Sequence, residues 1–291
     1  MLPEFDLWTL QTLPEALAQL SSAGSEAILL AGGTNVIPDL RSGRHTPKIV
    51  LDVSRLSELH GIRREDGHVV AGGGVTISEL LASPLVGEHA KTLQQAARLF
   101  ANPLIRNRAT IAGNLVDASP AADTAPALLA LDAEVDLQSQ AGCRSVPLQE
   151  FFTGVRKTVR RPDELLMSVR WPVAKAHTAY AYYKLGLRQA DAISVVSIAI
   201  RLEADADGCC QEARIALGSV APRPLRVLAA ENSLRGQALT EAAFANAAKL
   251  AAEAVSPISD LRASGDYRRR MVGVLVKRLL MQAADELRKV E

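Results

Sequence analysis

A two-domain α+β protein is the fold this sequence predicts, on three observations. The chain has 291 residues, more than one ordinary domain of about 100 to 200 residues requires. Helical and strand-like patterns alternate from the start to Trp171-Pro172. Beyond that point strand-like runs come first and helical runs last, the order of an α+β domain. The boundary is therefore placed between residues 1–175 and 176–291.

The elements follow in chain order. Thr12-Leu13-Pro14-Glu15 is a capping box with proline in the first turn, and Ala16, Leu17 and Leu20 continue it as an apolar stripe, so a helix ends near Gly24. Ala27 to Leu30 is a short apolar run stopped by Gly32-Gly33, the pattern of a buried strand entering a tight turn. Lys48 to Val53 and His68 to Ala71 predict two more strands, and Thr76-Ile77-Ser78-Glu79 caps another short helix. Thr92 to Ala101 predicts a helix. Asn102 to Ala125 is rich in Asn, Pro, Gly, Ser and Asp without periodicity, and reads as a long irregular stretch of the kind that carries function. Ala133 to Gln138 and Leu165 to Trp171 complete the first domain. The second has strands over Ala179 to Leu185, Ala192 to Leu202 and Glu212 to Val220, then helices from about Leu225, Thr240 and Asp266.

Composition narrows the function. Hydrophobic residues make up 48% of the chain and charged ones 22%, enough apolar material for a packed core and no sign of disorder. The formal net charge is +1, so no basic field exists to attract nucleic acid. No apolar run approaches the roughly 18 residues of a membrane span, and the start lacks the basic-then-apolar pattern of a signal peptide, which makes a cytoplasmic location the expectation. Three cysteines, Cys143, Cys209 and Cys210, are a poor basis for a disulfide framework and too few to hold an iron–sulfur cluster through four thiolates. The five histidines are scattered, and no metal site is expected. Neither GxSxG nor an activated thiol is present, so no catalytic nucleophile is assigned and a cofactor has to carry the chemistry.

Two glycine-bearing segments are the candidate cofactor site. Ala31-Gly32-Gly33-Thr34-Asn35 follows an apolar strand, and Thr110-Ile111-Ala112-Gly113-Asn114 lies in the irregular stretch. Glycine lets the main chain approach an anion closely and adopt positive φ, so successive N–H groups converge without help from lysine. One such loop alone is more often a plain turn; two suit a pyrophosphate. Neither is GxGxxG or a P-loop. Gly72-Gly73-Gly74 is either a third anion site at a helix N-terminus or a tight strand-to-helix turn. Asp117, Ser119 and Asp123 are placed to hydrogen-bond ribose-like hydroxyls or to cap the apolar segment that follows. The basic residues Arg156, Lys157, Arg160 and Arg161 form a docking surface or a solvated face.

LLAGGTNVIPDLRSG at 29–43, IRNRATIAGNLVDASPAADTAPALLALDA at 105–133 and YYKLGLRQADAISVVSIAI at 182–200 together resemble the FAD-binding medium subunit of the molybdenum hydroxylases, the family of xanthine dehydrogenase and carbon monoxide dehydrogenase. The resemblance covers nearly the whole chain. It implies a two-part FAD-binding domain of the vanillyl-oxidase (PCMH) type at 1–175 and an α+β CO dehydrogenase flavoprotein C-terminal domain at 176–291. It further implies that Leu30, Ala31, Gly32, Gly33, Thr34 and Asn35 wrap the FAD pyrophosphate and that Thr110, Gly113 and Asn114 close over it. Asp123 matches a carboxylate that hydrogen-bonds the cofactor, and Lys184 a lysine beside the isoalloxazine, where a cation stabilises anionic reduced flavin; a solvated lysine at a strand end is the alternative. Arg188, in the same segment, either shapes the flavin environment or makes a salt bridge. Ala112 stands where many relatives have a second glycine, and Asn35 where Asp or Ser is more frequent. The implied partners are a molybdopterin-binding large subunit and a small subunit with [2Fe–2S] clusters, in a dimer of heterotrimers. Electrons would pass from those clusters through FAD to an external acceptor. A free-standing FAD-dependent oxidoreductase of the same fold is the alternative function.

Overall fold

The computed structural model describes residues 2–205 and 207–289. Its first layer is parallel: β1 (Asp6–Thr9), β2 (Ala27–Leu30) and β3 (Ile49–Asp52) pair in the order β1-β3-β2. Parallel neighbours need crossovers, and α1 (Leu13–Ala23) and α2 (Val36–Arg41) supply them. Half of the predicted capping box forms: Thr12 Oγ1 accepts from the Glu15 N–H at 3.4 Å, whereas the Glu15 carboxylate accepts from the Gln11 N–H at 3.0 Å rather than from that of Thr12. Gly24, at φ 51°, ends α1.

The second layer is an antiparallel sheet of β4 (Ile62–Glu65), β5 (His68–Gly72), β6 (Glu134–Ser139), β7 (Gly142–Pro147) and, after a small hairpin of β8 (Phe152–Gly154) and β9 (Lys157–Thr158), β10 (Leu165–Pro172). Its order is β4-β5-β10-β6-β7. Helices α3 (Ile77–Ala82), α4 (Pro84–His89), α5 (Lys91–Leu99), α6 (Pro103–Arg106), α7 (Ile111–Asp117), α8 (Thr124–Ala130) and α9 (Leu148–Phe151) fall between these strands in sequence. The stretch 102–125, read as irregular, contains α6, α7 and the start of α8. Asn102 Oδ1 accepts from the Ile105 N–H at 3.0 Å, and Thr110 Oγ1 from the Gly113 N–H at 3.1 Å. Helices α6 and α7, of four and seven residues, begin on these caps, and with α8 they are too short to show a helical stripe. Strands β1, β4 and β7 were not read from the sequence, because each is a sheet edge with little apolar alternation.

The third layer has the predicted order, strands then helices: β11 (Thr178–Leu185), β12 (Val196–Ala204), β13 (Cys210–Gly218) and β14 (Leu225–Arg226), then α10 (Leu228–Leu234), α11 (Glu241–Glu253) and α12 (Gly265–Arg288). The sheet is antiparallel in that order. Ile198, Ile200, Leu202, Ile215 and Leu217 point to one face and share a core with Phe244, Val272, Leu275 and Leu279 of the helices. Period-two alternation sends Tyr180, Tyr182, Ala199 and Ala216 to the other face, where they join the core of the second layer. Helix α8, buried at every residue, lies against that face and is part of the same core. Small side chains let it approach: a Cβ at Gly218 would stand 2.8 Å from Pro126 Cγ. Thus α8 is shared by both domains.

Candidate functional site

Three glycine-bearing segments meet in the first domain. A Cβ at Gly32 would overlap the carbonyl of Arg108, two residues before Thr110, so the turn after β2 is pressed onto the segment that opens α7. Gly33 has φ 74°, a conformation that favours glycine. The N–H groups of Gly32, Gly33, Thr34 and Asn35 find no acceptor among the described residues; the first bond inward is Ile37 N–H to the Gly33 carbonyl at 3.1 Å. Four consecutive amides without a protein acceptor are what a nest for an anion requires. Asn35 is the cap position of α2 yet makes no side-chain cap bond. Strand β2, read as buried, is half-buried along its length. Ala27 and Leu29 pack on the core beneath, while Ile28 and Leu30, on the opposite face, belong to no core cluster. The strand is therefore apolar on both faces but covered on one.

The second segment contributes differently from the sequence reading. Thr110 to Asn114 is a helix N-terminus rather than a loop, and its amides are engaged: Ile111 donates to Val75, Ala112 to Gly73, Gly113 to Thr110 Oγ1 and Asn114 to the Thr110 carbonyl. Gly113 is exposed, so this segment offers close approach rather than free donors. Ala112 is accommodated by the triple glycine, since a Cβ at Gly73 would come within 3.1 Å of the Ala112 methyl. Gly72, Gly73 and Gly74 are buried, and their amides donate to the carbonyls of Gly61, Met167 and Leu59. Their role is close packing, and the anion-binding alternative fails because no donor is left.

Asn114 Oδ1 accepts from Thr124 Oγ1 at 2.6 Å, which ties this segment to the start of α8. Here Asp123 is buried, and Lys184, whose side chain is 5% exposed, donates to Asp123 Oδ2 at 2.6 Å and to the Leu99 carbonyl at 3.1 Å. The solvated-lysine alternative is thereby excluded. Asp123 makes no cap bond to α8, and its Oδ1 is buried without a partner among the described residues. Burial pushes its carboxyl up to about 6 against the opposing pull of Lys184. Tyr182 donates its hydroxyl to the Asp123 carbonyl at 3.1 Å. The sequence reading missed Tyr182, although it stands two residues before Lys184 and so on the same face of β11.

At the other end of α8, Asp132 accepts from Arg214 Nε at 2.9 Å, from Arg201 Nη2 at 2.9 Å and from Arg226. Glu212 and Glu231 complete the network, accepting from Arg201 at 3.1 Å and from Arg226 Nε at 2.9 Å. Burial works against the Asp132 carboxylate, but the Arg214 hydrogen bond and the three guanidinium charges hold it below the usual carboxylate range. Other expected residues have local partners. Asp117 pairs with Arg156 at 2.8 Å, Ser119 Oγ accepts from the Ala121 N–H at 3.2 Å, and Arg188 Nε donates to the Asp191 carbonyl at 2.9 Å rather than to a carboxylate. Arg160 likewise bonds the Arg161 and Glu164 carbonyls, so the basic run is partly used within the fold.

Residues 3–174 match the family model described as the FAD binding domain in molybdopterin dehydrogenase, and residues 181–283 match the CO dehydrogenase flavoprotein C-terminal domain. The chain is 34% identical over 282 residues to the carbon monoxide dehydrogenase medium chain of Hydrogenophaga pseudoflava, covering 97% of each. It is 32% identical over 274 residues to a putative xanthine dehydrogenase FAD-binding subunit of Escherichia coli K12, covering 94% of this chain and 93% of the other. Among solved structures, the carbon monoxide dehydrogenase of H. pseudoflava lacking the Mo-pyranopterin moiety superposes with a TM-score of 0.95 at 35% identity over 99% of both chains. Quinoline 2-oxidoreductase of Pseudomonas putida 86 gives 0.92 at 28% identity over the same share. With the glycine turns, the α8 wedge and both domain matches in one chain, this protein belongs to the FAD-binding medium subunits of the molybdenum hydroxylases.

Proposed function

We propose that this chain binds one FAD and relays electrons from [2Fe–2S] clusters of a small partner subunit to an external acceptor, substrate being oxidised on a molybdopterin-binding large subunit. The observation that carries the reading is the run of four uncommitted amides at Gly32 to Asn35, seated on the Arg108 carbonyl. They suit the pyrophosphate, with Leu30 and Ala31 leading into the turn and Thr110, Gly113 and Asn114 closing the opposite side. The partly uncovered faces of Ile28 and Leu30 provide apolar contact. Asn114 and Thr124 connect the pyrophosphate end to Asp123 and Lys184, which receive the isoalloxazine end; the unpartnered Asp123 Oδ1 is a buried acceptor that a ligand donor completes.

FAD supplies the exchange of one or two electrons, and the protein supplies placement and electrostatics. Lys184 is fixed by Asp123 and by the Leu99 carbonyl, so its charge is aimed without reorganisation. No helix among the described residues is long and apolar enough to cross a membrane, and we place the complex, a dimer of heterotrimers, in the cytoplasm. The test is to express the full chain, add FAD, desalt, and record the visible spectrum: about one flavin per chain supports the reading, and a colourless protein overturns it. Co-purification with molybdenum-bearing and iron–sulfur subunits tests the assembly.

A further inference from the structure

Asp123 is more than a counter-ion for Lys184. Its two oxygens are unequal, Oδ2 being committed to Lys184 at 2.6 Å and Oδ1 buried with no donor among the described residues. The groups around it come from every neighbouring element. Helix α5 gives the Leu99 carbonyl, which accepts from Lys184. Helix α7 gives Asn114, engaged with Thr124. Strand β11 gives Lys184 and Tyr182, whose hydroxyl is occupied by the Asp123 carbonyl. Strand β12 gives Ser197, paired in register with Lys184 and also buried with an unpartnered hydroxyl. The arginines of the same sheet face gather at Asp132, at the far end of α8. One ammonium and one carboxylate therefore share a nearly dry site, and the carboxylate has one free oxygen.

Resting on the FAD reading above, we propose that Asp123 takes up a proton at Oδ1 when the flavin is reduced, releasing the charge of Lys184 to face the reduced ring. Two electrons enter from the partner's clusters or from an added reductant, one proton settles on flavin N5, and the second goes to Asp123 instead of N1. The ring then carries one negative charge, Lys184 one positive charge, and Asp123 none. The site starts and ends neutral, which is what a low-dielectric environment demands. A carboxyl already raised to about 6 by burial needs only a nearby new negative charge to bind a proton at neutral pH.

The test is the pH dependence of the flavin midpoint potential in the full chain with FAD, for the wild type and Asp123→Asn. The wild type is expected to take up two protons per two electrons between pH 7 and 8. The variant, with Lys184 unneutralised and N1 kept deprotonated, is expected to take up one. Equal proton counts overturn the proposal. Should the variant fail to hold FAD, infrared difference spectra of the wild type decide instead: a protonated-carboxyl band must appear on reduction, and its absence overturns the proposal. A wild-type chain that binds no FAD refutes the parent reading as well, and the desalted spectrum alone reveals that.

Discussion

At the C-terminal end of α8 a single carboxylate, Asp132, faces three guanidinium groups that two further glutamates help to balance. At the N-terminal end Asp123 faces one ammonium and keeps one oxygen bare. Both sites join the two domains across the same sheet face, yet one carboxyl is held below its ordinary range and the other raised above it. The difference lies in donor number. A half-buried carboxylate surrounded by several guanidinium donors is fixed in its charged form, whereas a buried one with a single donor stays close to neutrality. The saturated network at Asp132 ties the two domains together; the unsaturated pair leaves one buried acceptor bare.

Breaking the saturated end has the largest expected effect. Asp132→Ala leaves three arginines crowded without their shared acceptor and is expected to cost about 3 kcal/mol, the low end of the range for removing one partner of a buried ion pair, because Asp132 is 29% exposed. Urea unfolding measures the loss, and the fraction that stays folded is expected to retain flavin. Gly32→Ala touches neither ion site: its Cβ overlaps the Arg108 carbonyl, and forcing the turn apart is expected to cost about 1–3 kcal/mol while flavin binding weakens more than tenfold. A titration of flavin fluorescence that finds unchanged affinity would refute the pyrophosphate assignment.

The two carboxyls have opposite pH signatures. Asp123, raised to about 6, contributes stability that is complete below its ordinary pKa near 4 and lost as pH rises through about 6. Asp132, lowered, contributes stability that is present above its ordinary pKa and lost as pH falls through its depressed one. Between about pH 3.5 and 6.5 the wild type is therefore expected to lose stability relative to Asp123→Asn, by at most about 3 kcal/mol for a shift of roughly two units, and no more above that range; parallel unfolding curves for the two proteins would contradict it. The smallest effect belongs to Lys184→Met. Without its cation Asp123 rises further and stays protonated at pH 7, so the expected cost is under about 2 kcal/mol, because a neutral acid tolerates burial far better than a lone charge. The contrast with Asp132→Ala is the measurement of interest.

Much of the fold was legible. Capping residues announced α1 and α3, apolar runs announced β2, β3, β5 and β10, and the switch from alternating elements to strands-then-helices marked the second domain. Edge strands β1, β4 and β7 were not, since half-exposed backbone pairing leaves no strong alternation. Nor were α6 and α7, which Asn102 and Thr110 cap, because helices this short give no stripe. Of the site, the glycine turns and both members of the Asp123–Lys184 pair stood out, through local pattern and family resemblance respectively. The meaning of the triple glycine did not: donors offered to an anion and donors spent on neighbouring carbonyls look the same in one dimension.

The sequence by itself determined the elements, their order and the residue types able to meet a cofactor, because propensity, capping and periodicity act over a few neighbouring residues. Only the tertiary structure decided which amides are left without acceptors, which oxygen of Asp123 is bare, and that one carboxylate meets one cation while another meets three. Those outcomes depend on contacts between residues tens of positions apart, such as Lys184 with Asp123 and Arg226 with Asp132, and on the burial that only packing creates.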